Sequence, residues 1–206
     1  MKKFNGYDEA KKAAQSTGRL PVGAYICKIL GVKYTESPDS DKSDIIEVLF
    51  DITEGEYKGF FKKQYENNTS EDKKWKGRAV IYVPLDDGSE RDGWTKNAFA
   101  KWTDSLEKSN KGYSWDWDEA KWKNKNIGIV FGETGTVLDD REITYTEVRF
   151  PVAVELVKSG KAPEGKFKAK NGYTGKGASA SSNNPTATGN EDWMSVAEDD
   201  PEGLPF

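Results

Sequence analysis

Between Phe60 and Tyr82 the sequence interleaves cations with aromatic rings: Phe60, Phe61, Lys62, Lys63, Tyr65, Lys73, Lys74, Trp75, Lys76, Arg78 and Tyr82. Side chains of these two kinds, brought to one surface, hold phosphate oxygens by charge and take bases by stacking, each stacked base contributing about 1–3 kcal/mol by alanine substitution. The chemistry is recognition of a single nucleic-acid strand, with no bond made or broken. Lys33 and Tyr34 upstream, and Tyr145 and Arg149 downstream, again pair a ring with a cation and would complete such a groove. The same residues fit a second arrangement, in which Phe60, Phe61 and Trp75 pack into a core beneath a solvated lysine loop.

Reactive chemistry has little to work with. None of the 206 residues is His, which removes Ser-His-Asp and Cys-His nucleophiles and every imidazole zinc site. Cys27 is the only thiol, so no intramolecular disulfide and no paired-thiol metal knuckle can form. Asp86-Asp87, Asp116 with Asp118, and Asp139-Asp140 are the carboxylates a Mg²⁺-dependent nuclease would draw on. Turn chemistry accounts for them adequately, as in Asp86-Asp87-Gly88. Gly132-Glu133-Thr134-Gly135 lacks the Lys-Ser/Thr ending of a phosphate cradle. The expectation is a binding protein and not an enzyme, with no catalytic residue, metal or cofactor.

The end of the chain carries a second recognition element. From Gly177 to Asn190 only Gly, Ala, Ser, Asn, Pro and Thr occur, a composition that cannot bury enough apolar surface to fold. Such a coil has a root-mean-square reach of roughly 20 Å. The last eight residues read Asp199-Asp200-Pro201-Glu202-Gly203-Leu204-Pro205-Phe206. A Phe206 ring with Leu204 and Pro205 can fill an apolar pocket, while Asp199, Asp200, Glu202 and the α-carboxylate pair with surrounding Arg or Lys. A merely solubilising acidic tail is the plainer alternative. Residues 177–206 hold six acids and no Lys or Arg, so they alone exceed the net charge of -4, and residues 1–176 carry +2. The acidic total therefore locates the tail and does not argue against a nucleic-acid partner.

These groups need a frame, and the patterning supplies mostly strands. Ala24 to Tyr34 is β-rich; Asp44 to Thr53 alternates, with Ile46, Val48, Phe50 and Ile52 on one face and Glu47 and Asp51 on the other. Gly77 to Leu85 sets Ala79, Ile81 and Val83 against Arg78, Val80 and Tyr82, so the two-residue period brings Arg78 and Tyr82 together. Ile127 to Phe131 is a short apolar strand bounded by Gly132, and Ile143 to Val157 a long strand or a pair, with Pro151 at a bulge or an edge. Gly93 to Asn110 is an amphipathic helix with Trp94, Ala98, Phe99, Trp102 and Leu106 towards the core. Tyr7 to Gln15 fits a short second helix. Trp115, Trp117 and Trp122, set among acids, suit a core plug or subunit contact better than a phosphate surface. Three strands, a helix and two strands is the order of the five-stranded OB barrel, whose strands two and three carry its binding face.

The terminal eight residues are similar to the acidic tip of bacterial single-stranded DNA-binding proteins, which end in several acids and an apolar-Pro-Phe tripeptide. The element order, the Gly- and Asn-containing tail and the aromatic core resemble the single-stranded DNA-binding proteins of phages and prophages. Leu204 stands where the family has Ile, and the stretch Tyr113-Ser114-Trp115-Asp116-Trp117 has no counterpart in the bacterial pattern, so tetramer formation does not carry over. The resemblance implies an OB-fold protein that coats single-stranded DNA without strong sequence preference and recruits replication, recombination or repair enzymes through its tip.

The expected organisation is a DNA-binding domain over 1–157, a basic then Gly/Ser/Asn-rich linker over 158–190, and a protein-interaction tip over 191–206. No run of about 18 apolar residues spans a membrane and Met1 to Gly18 lacks the apolar stretch of a signal peptide, so the expected location is the cytoplasm of a bacterial host cell. A homo-oligomer such as a dimer is compatible with the chain. Two other functions stay open: a β-domain adaptor that binds no nucleic acid and docks a partner through its tip, and the Mg²⁺-dependent nuclease.

Overall fold

The computed structural model describes residues 18–175; the helix expected at 7–15, the tail from 176 onward and the tip at 199–206 lie outside the described residues. The described chain runs β1 (Gly23–Thr35), β2 (Ile45–Ile52), α1 (Phe60–Asn67), β3 (Arg78–Tyr82), α2 (Glu90–Ser109), a 3₁₀ turn (Glu119–Trp122), β4 (Asn126–Leu138), β5 (Arg141–Val152), α3 (Val154–Lys158) and β6 (Gly165–Ala169). The strands form one mainly antiparallel six-stranded sheet in the order β3-β2-β1-β4-β5, with β6 joining β4 in parallel. Among the described residues no ladder joins β3 to β5. The five-stranded barrel expected from the sequence is thus corrected to a six-stranded sheet whose ends face each other without pairing. No helix among the described residues is long and apolar enough to cross a membrane.

The core forms where the alternation says it should. Ile46, Val48 and Phe50 of β2, Ala79 and Ile81 of β3, and Ile127, Ile129 and Phe131 of β4 are buried together. Phe50 meets Phe61 and Phe131 edge to face at 5.6 and 6.2 Å. The helix α2 begins three residues before the expected start because Ser89 caps it, its hydroxyl accepting the Asp92 N–H at 3.0 Å. Asp92, 4% exposed, turns inward in the first turn and ties down the preceding loop through the Asp86 N–H. Trp94, expected in the core, is 46% exposed, since Asp92 takes the inward position at this end.

Asp51 departs from the alternation. Read as solvent-facing, it is buried, because its carboxylate accepts the N–H groups of Ile52 at 2.8 Å, Phe61 at 3.0 Å and Lys62 at 3.3 Å. Two of these are orphan donors of the first turn of α1, whose own N-cap, Gly59, supplies no side chain. A β2 carboxylate therefore sets where α1 sits. Burial pushes the Asp51 carboxyl up, with the three N–H donors opposing it. Asp51→Ala is expected to cost about 1–3 kcal/mol in urea unfolding, the penalty of stranding buried donors; a loss of a few tenths would show that α1 holds its place without this cap.

The second half of the sheet continues past both sequence boundaries. Gly132 does not end β4. A Cβ there would lie 2.5 Å from Arg149 Nε and 2.9 Å from the Lys166 carbonyl, so the glycine admits close packing inside a continuing strand. β4 and β5 are joined through Asp139 and Asp140, both at positive φ (48° and 59°), the two-residue turn that suits hairpin twist. β5 stops at Val152, giving way to α3 in place of the strand expected to Val157. The chain stays folded beyond residue 157: β6 and Tyr173, whose ring covers Gly135, extend the body to Gly175, correcting the linker's start.

Candidate nucleic-acid interface

Register fixes what β1, β2 and β3 present on the face away from the core. Three rows of paired positions cross the strands: Thr35, Ile45 and Tyr82; Lys33, Glu47 and Val80; and Gly31, Leu49 and Arg78. Ile45, Leu49, Val80 and Tyr82 are half-buried and Lys33 and Arg78 exposed, so an apolar centre carries cations and a ring at its margin. Leu49 packs beside Gly31, its Cδ1 3.8 Å from where a Cβ would stand, an ordinary contact distance. Arg78 donates to Glu47 at 3.1 Å, which neutralises the carboxylate of the middle row. Arg78 and Tyr82 share the surface as expected; Ile45, Glu47 and Leu49 were not singled out, although the β2 alternation that buries Ile46 and Val48 already placed them here.

A second group adjoins the Arg78 end. Trp75 is half-buried and anchored by its indole N–H, which donates to the carbonyls of Phe50 and Gly77 at 3.0 and 3.1 Å. Tyr65, on α1, lies 5.8 Å from it with the rings tilted at 45°, and Lys73 sits 4.7 Å from the Tyr65 ring centre. Lys62 and Lys63 on α1 and Lys74 and Lys76 beside the indole are exposed, Lys62 with Glu66 at 3.9 Å. Asp51, by seating α1, is what brings the helix's ring and lysines beside β3.

Three expected site residues are placed elsewhere. Phe60 is 4% exposed, packed against Phe61 and Tyr57, and offers no face to a base. Tyr34 shares a face with Ile46, opposite to that of Lys33, and its hydroxyl donates to Asp44. That bond pushes the Tyr34 phenol up to about 12 and holds Asp44 below the usual carboxylate range. Arg149 stands where the β4–β5 register slips between Val130 and Phe131, an extra residue in β5 turned onto the sheet. Its guanidinium donates to the Lys166 carbonyl at 3.0 Å, to the Glu133 carbonyl and Thr134 hydroxyl at 2.7 Å, and to Glu147. It is a buried strut, with its donors committed. Tyr145 stays half-exposed on β5.

Between the facing edges of β3 and β5 lies a cleft of about 180 Å³ lined by Arg78, Ala79, Val80, Glu147, Val148 and Lys170. On another side, Trp115 and Trp122 plug the α2 side of the core, while Trp117 is 80% exposed and stacked on Phe99 at 15°. Among the described residues no group of three or more Cys, Asp or Glu is placed to hold a metal ion. No protein-family model matches the sequence, and no curated protein matches it either.

Proposed function

We propose that this chain binds single-stranded DNA without strong sequence preference, as an OB-type domain, on the outward face of β1, β2 and β3. The observation that carries the proposal is the register of those strands, which sets Arg78, Lys33 and Tyr82 around the apolar patch of Ile45, Leu49 and Val80. Strands two and three are the nucleic-acid face of OB domains, and the order β3-β2-β1-β4-β5 with α2 between β3 and β4 fits that fold in its partly open form. The Tyr65–Trp75 pair and its lysines extend the surface with stacking groups and charge. Coating of strands during phage replication, recombination or repair, and recruitment of partner enzymes through Leu204, Pro205 and Phe206, belong to the same proposal.

The test is a tryptophan-fluorescence titration with oligo-dT, with and without Mg²⁺, across a salt series. Binding that quenches fluorescence and weakens steeply with salt is expected, the oligonucleotide remaining intact. Tyr82→Ala is expected to weaken binding about 5- to 150-fold, the equivalent of one stacked base. Fluorescence and mobility unmoved by oligo-dT at low salt would sink the proposal, and Mg²⁺-dependent degradation would replace it with a nuclease.

A further inference from the structure

We infer that the bound strand does not end at β3 but crosses the β3–β5 cleft onto Lys170 and Lys168, so that the segment after β5 is part of the binding surface. This rests on the proposal of single-strand binding above. Three features of the fold lead there. The cleft is continuous with the outward face, since Arg78 and Val80 line both, and Lys170 lines its far side. Its volume of about 180 Å³ corresponds to about six water molecules at ≈ 30 Å³ each, room for a flat ring standing between two strand edges. Beyond the cleft, Lys168 pairs in register with Thr134, and so does Tyr145 from the other side, which sets the lysine and the ring on one face.

Charge points the same way. Residues 18–157 carry 21 basic and 26 acidic side chains, a net of -5, whereas residues 158–175 carry five lysines and only Glu164, a net of +4. That segment adds cationic surface to a domain whose remainder is net acidic. Arg78 and Lys170 line the cleft with Glu147, and the carboxylates here already face cations: Glu47 meets Arg78 at 3.1 Å and Glu147 meets Lys170 at 3.6 Å.

The segment is also built in. Arg149 holds the Lys166 carbonyl, the Lys170 N–H donates to the Gly135 carbonyl at 2.8 Å, and Tyr173 closes over Gly135. Lysines on a held strand lose less conformational freedom on binding than lysines on a free linker.

The experiment uses the full chain and compares two oligo-dT lengths, about 4 and about 16 nucleotides, which bracket the site sizes of single OB folds. For Lys168→Ala/Lys170→Ala the slope of log K against log salt on the long strand is expected to shrink by about 1.4, two single-strand phosphate contacts at about 0.7 each. Binding of the short strand is expected to be unchanged. Lys168→Ala alone leaves the Lys170–Glu147 pair in place and is expected to shrink the slope by about 0.7. The charge-preserving Lys168→Arg/Lys170→Arg is expected to keep the wild-type slope. Wild-type binding with an unchanged slope in Lys168→Ala overturns this inference alone. A wild-type chain that binds neither strand overturns it together with the proposed function.

Discussion

Gly77→Ala is expected to destabilise the fold by about 3 kcal/mol, the upper end of the usual cost of overpacking, while Gly93→Ala is expected to stabilise it by about 0.5–1 kcal/mol. A Cβ on Gly77 would stand 2.3 Å from the Phe50 carbonyl and 2.7 Å from the Phe61 ring, and neither neighbour can step aside. The Phe50 carbonyl is backbone in a paired strand, and Phe61 is wedged between Phe50 and Phe131. The damage also reaches the proposed site. The Gly77 carbonyl accepts the Phe50 N–H at 2.8 Å and the Trp75 indole at 3.1 Å, so displacing it releases the stacking platform. Gly93 lies within α2 with nothing inside 4 Å of its virtual Cβ, so Ala there gains helix propensity at no steric cost. Urea unfolding followed by tryptophan fluorescence measures both; equal effects of the two substitutions would show that the Gly77 contact relaxes freely.

Arg149→Met is expected to lose about 3 kcal/mol, because it strands the Lys166 and Glu133 carbonyls and removes one of the two cations that face the half-buried Glu147. Arg149 is 9% exposed and holds four acceptors, among them Glu147, whose side chain is 25% exposed. Burial pushes the Glu147 carboxyl up, but the Thr134 hydroxyl and the Lys170 and Arg149 charges outweigh burial and hold it below its ordinary value of 4.5. A carboxyl lowered in the fold stabilises the protein above that ordinary value and loses the contribution as pH falls through the folded one. Taking Arg149 away removes one of the lowering groups, so acid unfolding of Arg149→Met is expected to begin at higher pH than in the wild type. Arg149→Lys keeps the charge but not the fork and is expected to recover only part of the loss. Urea unfolding at neutral and acid pH reads both effects. A loss below about 1 kcal/mol, within the range of exposed ion pairs, would mean the network contributes little. A folded Arg149→Met with a reduced oligonucleotide salt slope would return Arg149 to the binding surface.

Much of the fold is legible where one physical rule acts alone. β3 and the first six residues of β2 alternate because each has one face on the core, so the pattern that buries Ile46, Val48, Ala79 and Ile81 also gathers Arg78 and Tyr82. The helix α2 announces itself through Ala98, Phe99, Trp102 and Leu106, which repeat at its turns. Legibility fails where two rules compete. Phe60 and Phe61 look the same in sequence as Tyr65 and Trp75, aromatics among lysines. An eight-residue helix seated by Asp51 turns the first two inward and leaves Tyr65 half-buried, while the Phe50 and Gly77 carbonyls hold the Trp75 indole beside it. Gly132 carries the usual mark of a strand end, but Arg149 needs the space above it, and the strand runs on to Leu138. The lysine-rich stretch after residue 157 has linker composition, yet β4 offers a free edge beyond β1 for β6 to pair with, which composition cannot reveal.

The amino-acid sequence by itself determined which chemistry this protein lacks, with no His and one thiol, and where its charge lies, with six acids in residues 177–206. It also determined which faces of β2 and β3 turn from the core, because a two-residue period is a local property of the backbone. Only the tertiary structure decided which aromatics remain available, that Arg149 is a strut and Arg78 a surface cation, and that Lys170 lies across a cleft from Arg78. Those outcomes depend on partners far apart in sequence, such as Phe50 and Trp75, 25 positions apart and joined by a hydrogen bond, and Arg78 and Lys170, 92 positions apart across the cleft. No local pattern encodes contacts of that kind. They arise when strands distant in the chain are paired, and the burial and spacing of each side chain follow from that pairing.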